Sequence, residues 1–200
     1  MDYKYETDPF PFVKARWFKD IIEKRGVRLV VIHTTEGKET ATSAEDTANN
    51  WFKDPRDDNG NPKKVSTHVC IDSDSVVQCV LDNDVAYCAP GVNRDGVHLE
   101  LAAKANQTAA EWADPYSTLV VEKGANVAAQ YCLKYNIPMV HLSNDQLREG
   151  ETGIIGHYQA SIVYPPNQGH DDPGENFPWD FFIERVNVHY QERKARLDSQ

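Results

Sequence analysis

Positive charge is what this 200-residue chain most conspicuously lacks: 21 Lys and Arg stand against 31 Asp and Glu, for a net charge of −10. Without a basic stripe there is nothing to displace phosphate counterions, so a nucleic-acid partner is disfavoured. The same deficit disfavours adsorption to anionic lipid. Long apolar runs are also missing, and no stretch approaches the about 20 residues needed to span a bilayer. Met1-Asp2-Tyr3-Lys4-Tyr5-Glu6 has neither a basic nor an apolar leader region, so the expectation is a chain made in a cytoplasm without a secretory signal. Cysteine is scarce, and Cys70, Cys79, Cys88 and Cys132 form no CxxC pair. That spacing argues against a zinc ribbon and for reduced, buried or half-buried thiols. No His-Glu-x-x-His helix is present, which removes support for a zinc peptidase of that class. Internal repeats and low-complexity linkers are absent too.

What is present suits one domain with a sizeable core. Residues Tyr3 to Pro11 read as an irregular arm. Trp17, Phe18, Ile21 and Ile22 recur at helical spacing, predicting a short amphipathic helix over Arg16 to Lys24, closed by Gly26. Val27 to His33 is short, β-branched and bounded by glycines, as a buried strand would be. Thr42-Ser43-Ala44-Glu45 has the form of a capping box, with a helix running toward Phe52. His68–Ile71 and Val76–Val80 flank a polar turn and predict a hairpin; Val85–Cys88 and Val97–Leu101 are further strand candidates. In the last of these, His98 and Glu100 share one face. Thr118 to Tyr135 is the clearest helix, ended by Asn136 and Pro138. Ser143 to Thr152 reads as a polar stretch, Phe181 to Val188 as a final helix, and the last dozen residues as a charged, fraying tail. Strands interspersed with helices give an α/β class with a central mixed sheet flanked by helices.

Three side chains stand out for their chemistry. His33 ends the apolar run Leu29-Val30-Val31-Ile32, at what would be the rim of a sheet. His157 follows Gly153-Ile154-Ile155-Gly156. Asp172 opens Asp172-Pro173-Gly174, ahead of Phe177 and Trp179. Taken singly, each has an ordinary reading: two rim histidines and an Asp-Pro-Gly turn. Taken together, two imidazoles and a carboxylate make a tripod that leaves a fourth tetrahedral position open, the arrangement of a catalytic rather than a structural zinc. Glu100, on a strand-like segment, is placed to shuttle protons.

These segments, in order, resemble the motifs of the type 2 zinc-dependent N-acetylmuramoyl-L-alanine amidases. That family includes phage endolysins and is related to the peptidoglycan recognition proteins. Val31-Ile32-His33-Thr34-Thr35 is similar to its first ligand motif, and Ser66-Thr67-His68-Val69-Cys70-Ile71-Asp72 to its next strand. Val85-Ala86-Tyr87-Cys88-Ala89-Pro90-Gly91 resembles an alanine-tryptophan-histidine-alanine-glycine turn. Asn93 through Glu100 resembles the segment carrying the catalytic glutamate. The His157 and Asp172 segments resemble the second and third ligand motifs. The resemblance covers roughly residues 27 to 182 and looks most like the amidase module of a bacteriophage lysin.

It implies a zinc site at the sheet rim (His33, His157, Asp172), Glu100 as the proton carrier, and hydrolysis of the amide joining N-acetylmuramic acid to L-alanine in bacterial peptidoglycan. Thr34 and Tyr87 are implied substrate contacts; for Trp51, Trp112 and Tyr164 packing is the ordinary reading. The chain departs from the family at His170, where a basic residue, usually lysine, stands two positions before the third ligand. A histidine there donates to an oxyanion only from a protonated nitrogen. His170 and Asp171 stay open as alternatives to Asp172. His98 stands where a small glycine is expected. His68 reads as a supporting or core residue, and no role follows for His98, His141 or His189. The expected layout is an N-terminal arm and short helix (1–26), the amidase catalytic domain (27–190) and a charged tail (191–200), acting as a monomer on peptidoglycan. A module of a larger lysin is the alternative to a free enzyme, and a non-catalytic recognition module on the same fold is the alternative to catalysis.

Overall fold

Leu29-Val30-Val31-Ile32 can be buried on both faces only in the middle of a sheet, and that is where the computed structural model puts them; it describes residues 4–164 and 169–199. Strand β1 (Leu29–Thr34) is buried throughout, as a continuous apolar run in a parallel sheet should be. The other strands are β2 (Val69–Ile71), β3 (Val76–Gln78), β4 (Gly96–Leu101) and β5 (Gly153–Gly156), in the spatial order β3-β2-β4-β1-β5. β2, β4, β1 and β5 run parallel, and β3 pairs antiparallel with β2 as the predicted hairpin. The sheet is therefore mixed and carries helices on its faces, in agreement with the α/β expectation.

One face packs Val30, Ile32, Val97, Leu99 and Leu101 against helix α3 (Pro115–Tyr135), which is backed by α6 (Trp179–Asp198). Asp114 caps α3 through the Ser117 N–H, Pro115 opens it, and Asn136 in the left-handed region ends it where the sequence indicates. The opposite face packs Leu29, Val31 and Ile155 under α5 (His157–Val163) and α4 (Asn144–Arg148). The four cysteines are free thiols, buried or half-buried as expected.

Several local expectations are corrected. Arg16 to Lys24 is not a helix: the arm is held instead by single bridges, Phe12 to Gln78 and Lys19 to Val85, and Ile22 lies fully in solvent. The main-chain N–H groups of Arg16, Lys19 and Ile21 donate instead to the Phe52 and Val85 carbonyls and the Asp84 carboxylate, taking the hydrogen bonds a helix would have kept. Val85–Cys88 contributes only that one bridge rather than a strand. Thr42 precedes a short helix, α1 (Ser43–Asp46), continued by a π-helical turn (Thr47–Phe52), but its side chain makes no cap bond. Two capping boxes escaped the sequence reading: Thr108 with Glu111 starts α2 (Ala109–Trp112), and Ser143 with Gln146 starts α4 inside the stretch read as merely polar. The charged tail 191–200 is helical as far as Asp198, because Arg193 is buried against Asp8 of the arm. Residues 1–3 of the arm, 165–168 between His157 and Asp172, and residue 200 of the tail lie outside the described residues.

Candidate active site

Parallel strands end on a common rim, and β1, β4 and β5 bring their C-terminal ends together there. In register, His33 on β1 lies opposite Glu100 on β4, and Glu100 lies opposite Cys70 on β2, so the three share one face. His157 is the first residue of α5, immediately after β5. Asp172 comes from the loop before α6, whose main chain is tied to α5 by the Tyr158 N–H donating to the Asp172 carbonyl at 3.0 Å.

The three candidate ligands converge. His33 Nδ1 is 3.1 Å from His157 Nδ1 and 3.2 Å from Asp172 Oδ2, and His157 Nδ1 is 3.1 Å from Asp172 Oδ1. All three residues are buried. Zinc–ligand bonds of about 2.0–2.2 Å arranged tetrahedrally put neighbouring donor atoms about 3.3–3.6 Å apart, so these side chains need to spread by only a few tenths of an ångström to hold an ion. The electrostatics agree. Burial works against ionising Asp172, yet the rings of His157, His170 and His33 around it outweigh burial and hold the carboxyl far below the usual range. Burial pushes His157 down to about 4, so its ring is neutral at pH 7. A fixed negative charge beside the neutral His157 ring and His33 Nδ1 suits a divalent cation.

Asp172, rather than His170 or Asp171, joins the pair. Asp171 is exposed on the cleft wall. His170 is half exposed, its ring stacked on His157 at 3.9 Å and its Nδ1 3.7 Å from Asp172 Oδ1; that carboxylate raises its pKa. Glu100 is half-buried at the floor. Burial, and then the nearby charge of Asp172, push its carboxyl well above the ordinary range. A cleft of about 340 Å³ opens over these groups, lined also by Thr34, Trp51, Lys63 and Cys88. It continues past Glu100 and Trp51 into a lobe of about 520 Å³ along Lys38, Asp46 and Asn50.

Thr34 lines the cleft, whereas Tyr87 does not; its neighbour Cys88 does. Trp51, which reads as packing in the sequence, is 39% exposed on the wall, while Trp112 is buried edge-on against Phe177. No local pattern singles out Glu36. Its Oε1 accepts from the Thr34 hydroxyl at 2.6 Å and from the Ala105 N–H at 2.9 Å, at a left-handed φ of 57° that is sparsely populated for a non-glycine residue. That φ, invisible in the sequence, aims Glu36 back onto the rim.

The Asp172 loop depends on Gly174. Its φ is +99°, and a Cβ there would stand 1.8 Å from the Ala105 carbonyl oxygen. Gly174→Ala is therefore expected to cost at least about 1–3 kcal/mol and to weaken metal binding by displacing Asp172. Denaturant unfolding checks the first effect; an unchanged midpoint would refute it.

The comparisons with known proteins follow the same geometry. Residues 23–175 match the model of a family described as N-acetylmuramoyl-L-alanine amidase. No curated protein matches the chain. Among solved structures, the chain is similar to the Staphylococcus aureus hydrolase AmiA in complex with its ligand, at 14% identity and a TM-score of 0.63 over 95% of this chain and 87% of that one. A selenomethionine derivative of AmpD matches at 17% identity and a TM-score of 0.61, over 94% of this chain and 98% of that one. The N-acetylmuramoyl-L-alanine amidase LysC from Clostridium intestinale URNW matches at 17% identity and 0.55, over 90% and 99%. At such identities the structural likeness is one of fold.

Proposed function

The chain belongs to the N-acetylmuramoyl-L-alanine amidase family, and we propose that it carries out that reaction with zinc held by His33, His157 and Asp172 and with Glu100 as the proton carrier. The reaction is hydrolysis of the amide between N-acetylmuramic acid and L-alanine in bacterial peptidoglycan. The observation that supports this assignment best is the closure of His33 Nδ1, His157 Nδ1 and Asp172 Oδ2 to within 3.1–3.3 Å of one another at the floor of an open cleft.

When bound, zinc supplies Lewis acidity to the scissile carbonyl and makes a water acidic enough to attack near pH 7. Glu100 takes the proton of the attacking water. Its raised proton affinity then lets it return that proton to the leaving amine of L-alanine. His170, at the cleft mouth and oriented by Asp172, is placed to donate to the developing oxyanion. The lobe running past Trp51 gives the substrate chain room beside the reacting bond. Cutting this bond strips stem peptides from glycan strands, so lysis of the bacterial wall by a monomeric enzyme is the cellular role we propose.

Mass spectrometry of purified peptidoglycan after digestion tests the reading. Free stem peptides beginning with L-alanine should appear, vanish with a chelator and return with added zinc. Activity that survives exhaustive chelation would refute the zinc assignment. Tight wall binding with no cleavage would replace catalysis by recognition.

A further inference from the structure

His98 has no part in the proton transfers above, yet it makes a single side-chain polar contact and makes it to a ligand. Its Nδ1 lies 3.0 Å from His33 Nε2, on the side of the His33 ring opposite the ligand cluster. Both residues are buried, His98 completely. The other ring nitrogen, His98 Nε2, is buried with no hydrogen-bond partner. Leaving such a buried group unpaired is a net cost to the fold. An apolar side chain of similar size would fill the same space without that penalty.

The backbone is arranged to keep the ring there. His98 sits on β4 opposite Val31, and its main-chain N–H donates to His68 Nδ1 at 3.1 Å. The His68 ring stacks parallel to it at 5.5 Å, and His68 Nε2 lies 3.1 Å from the Asp84 carbonyl. Arg25, also buried, ties the neighbouring turns together by donating to the carbonyls of Asp82, Arg94 and Gly96. Space for the ring comes from Gly96, where a Cβ would stand 2.9 Å from the Val92 carbonyl oxygen, 3.0 Å from Val31 Cγ2 and 3.1 Å from His98 Nε2.

We infer that His98 is a positioning residue for the metal site: its Nδ1 accepts the Nε2–H of His33, which fixes the His33 ring and leaves His33 Nδ1 free to ligate. A ligating imidazole commonly donates its other N–H to a carboxylate, a carbonyl or water. Here a second imidazole, supplied by the adjacent strand, takes that place. The inference rests on His33 being a ligand, as proposed above.

The test compares His98→Leu, which fills the space without an acceptor, with His98→Asn, whose Oδ1 falls near the position of the lost Nδ1. Zinc affinity is read by competition with a chromophoric chelator, and the unfolding midpoint is read on metal-free protein. His98→Leu should weaken zinc binding by about 10- to 100-fold without lowering the metal-free midpoint. His98→Asn should restore affinity to within a few-fold of the parent. Nitrogen-15 imidazole shifts of the zinc-loaded parent should show His98 protonated on Nε2 and bare on Nδ1. Unchanged affinity in His98→Leu, Asn no better than Leu, or a proton on His98 Nδ1 would each overturn the inference. So would two zinc ions per chain, which would make His98 itself a ligand, with His33 and the nearby Cys88 thiol. A parent that binds no zinc would instead overturn the ligand assignment, so the two failures are distinguishable.

Discussion

Glu100→Gln is expected to lower kcat by about 10²- to 10⁴-fold while zinc affinity stays within a few-fold of the parent. Gln keeps the shape and the hydrogen-bonding capacity of the side chain but cannot take and return a proton. The substitution should also make the metal-free protein more stable. Burial and the charge of Asp172 raise the carboxyl of Glu100 well above its ordinary value, so the fold favours its neutral form. That contribution is complete below the unfolded carboxylate value of 4.5 and is lost as pH rises toward the folded value. At pH 7 the parent therefore carries a penalty that Gln, always neutral, avoids. Each 1 kcal/mol recovered would raise the thermal midpoint of a domain this size by about 2–4 °C. An inactive but more stable variant is the signature of a residue kept for chemistry at the expense of the fold. Retained turnover would remove Glu100 from the mechanism; a lower midpoint would show that its burial is not the strain described here.

Asp172→Ala is expected to abolish peptidoglycan cleavage and to weaken zinc binding by more than the about 100-fold typical of losing a ligand's supporting hydrogen bond. The carboxylate is the only permanent charge in the cluster, and both His33 and His157 lie within 3.2 Å of it. Asp172→Asn, which keeps the shape and some hydrogen bonding, separates charge from packing. It should preserve the loop against Tyr158 and Ala105 yet bind zinc nearly as poorly as Ala. The metal-free parent should also be acid-sensitive. His157 is neutral when folded, with its pKa at about 4 against 6.5 for the free side chain. Its share of stability is constant above 6.5 and falls as pH drops from 6.5 toward 4, because the unfolded chain then binds the proton first. Calorimetry of metal-free protein across that range measures the slope. Zinc bound equally by parent, Asn and Ala proteins would show that the ion is not held by Asp172.

How much of this was legible beforehand depended on the range of the interaction. Patterns that act within a few residues could be read directly: the aliphatic run that becomes β1, the hairpin of β2 and β3, and the α3 helix with its Asn136 stop. The helix expected over Arg16 to Lys24 failed for the complementary reason. Its apolar spacing is local, but the hydrogen bonds that decide its conformation run to Phe52, Asp84 and Val85, dozens of residues away. The tail is helical rather than frayed for the same reason: Arg193 pairs with Asp8 at the other end of the chain, a contact its own charge pattern does not encode.

The sequence determined the family's motifs, His33, His157 and the 170–172 segment as the source of the candidate ligands, Glu100 as the candidate proton carrier, and the α/β class. Each rests on residue type and order, which folding does not change. Only the tertiary structure decided that His33, His157 and Asp172 meet, that Asp172 rather than its neighbours completes the group, and that His98 stands behind His33. Those facts follow from parallel strands sharing one rim and from Gly96 and Gly174 admitting close approach. Both are distances between segments dozens of residues apart, and such distances exist only once the sheet has formed.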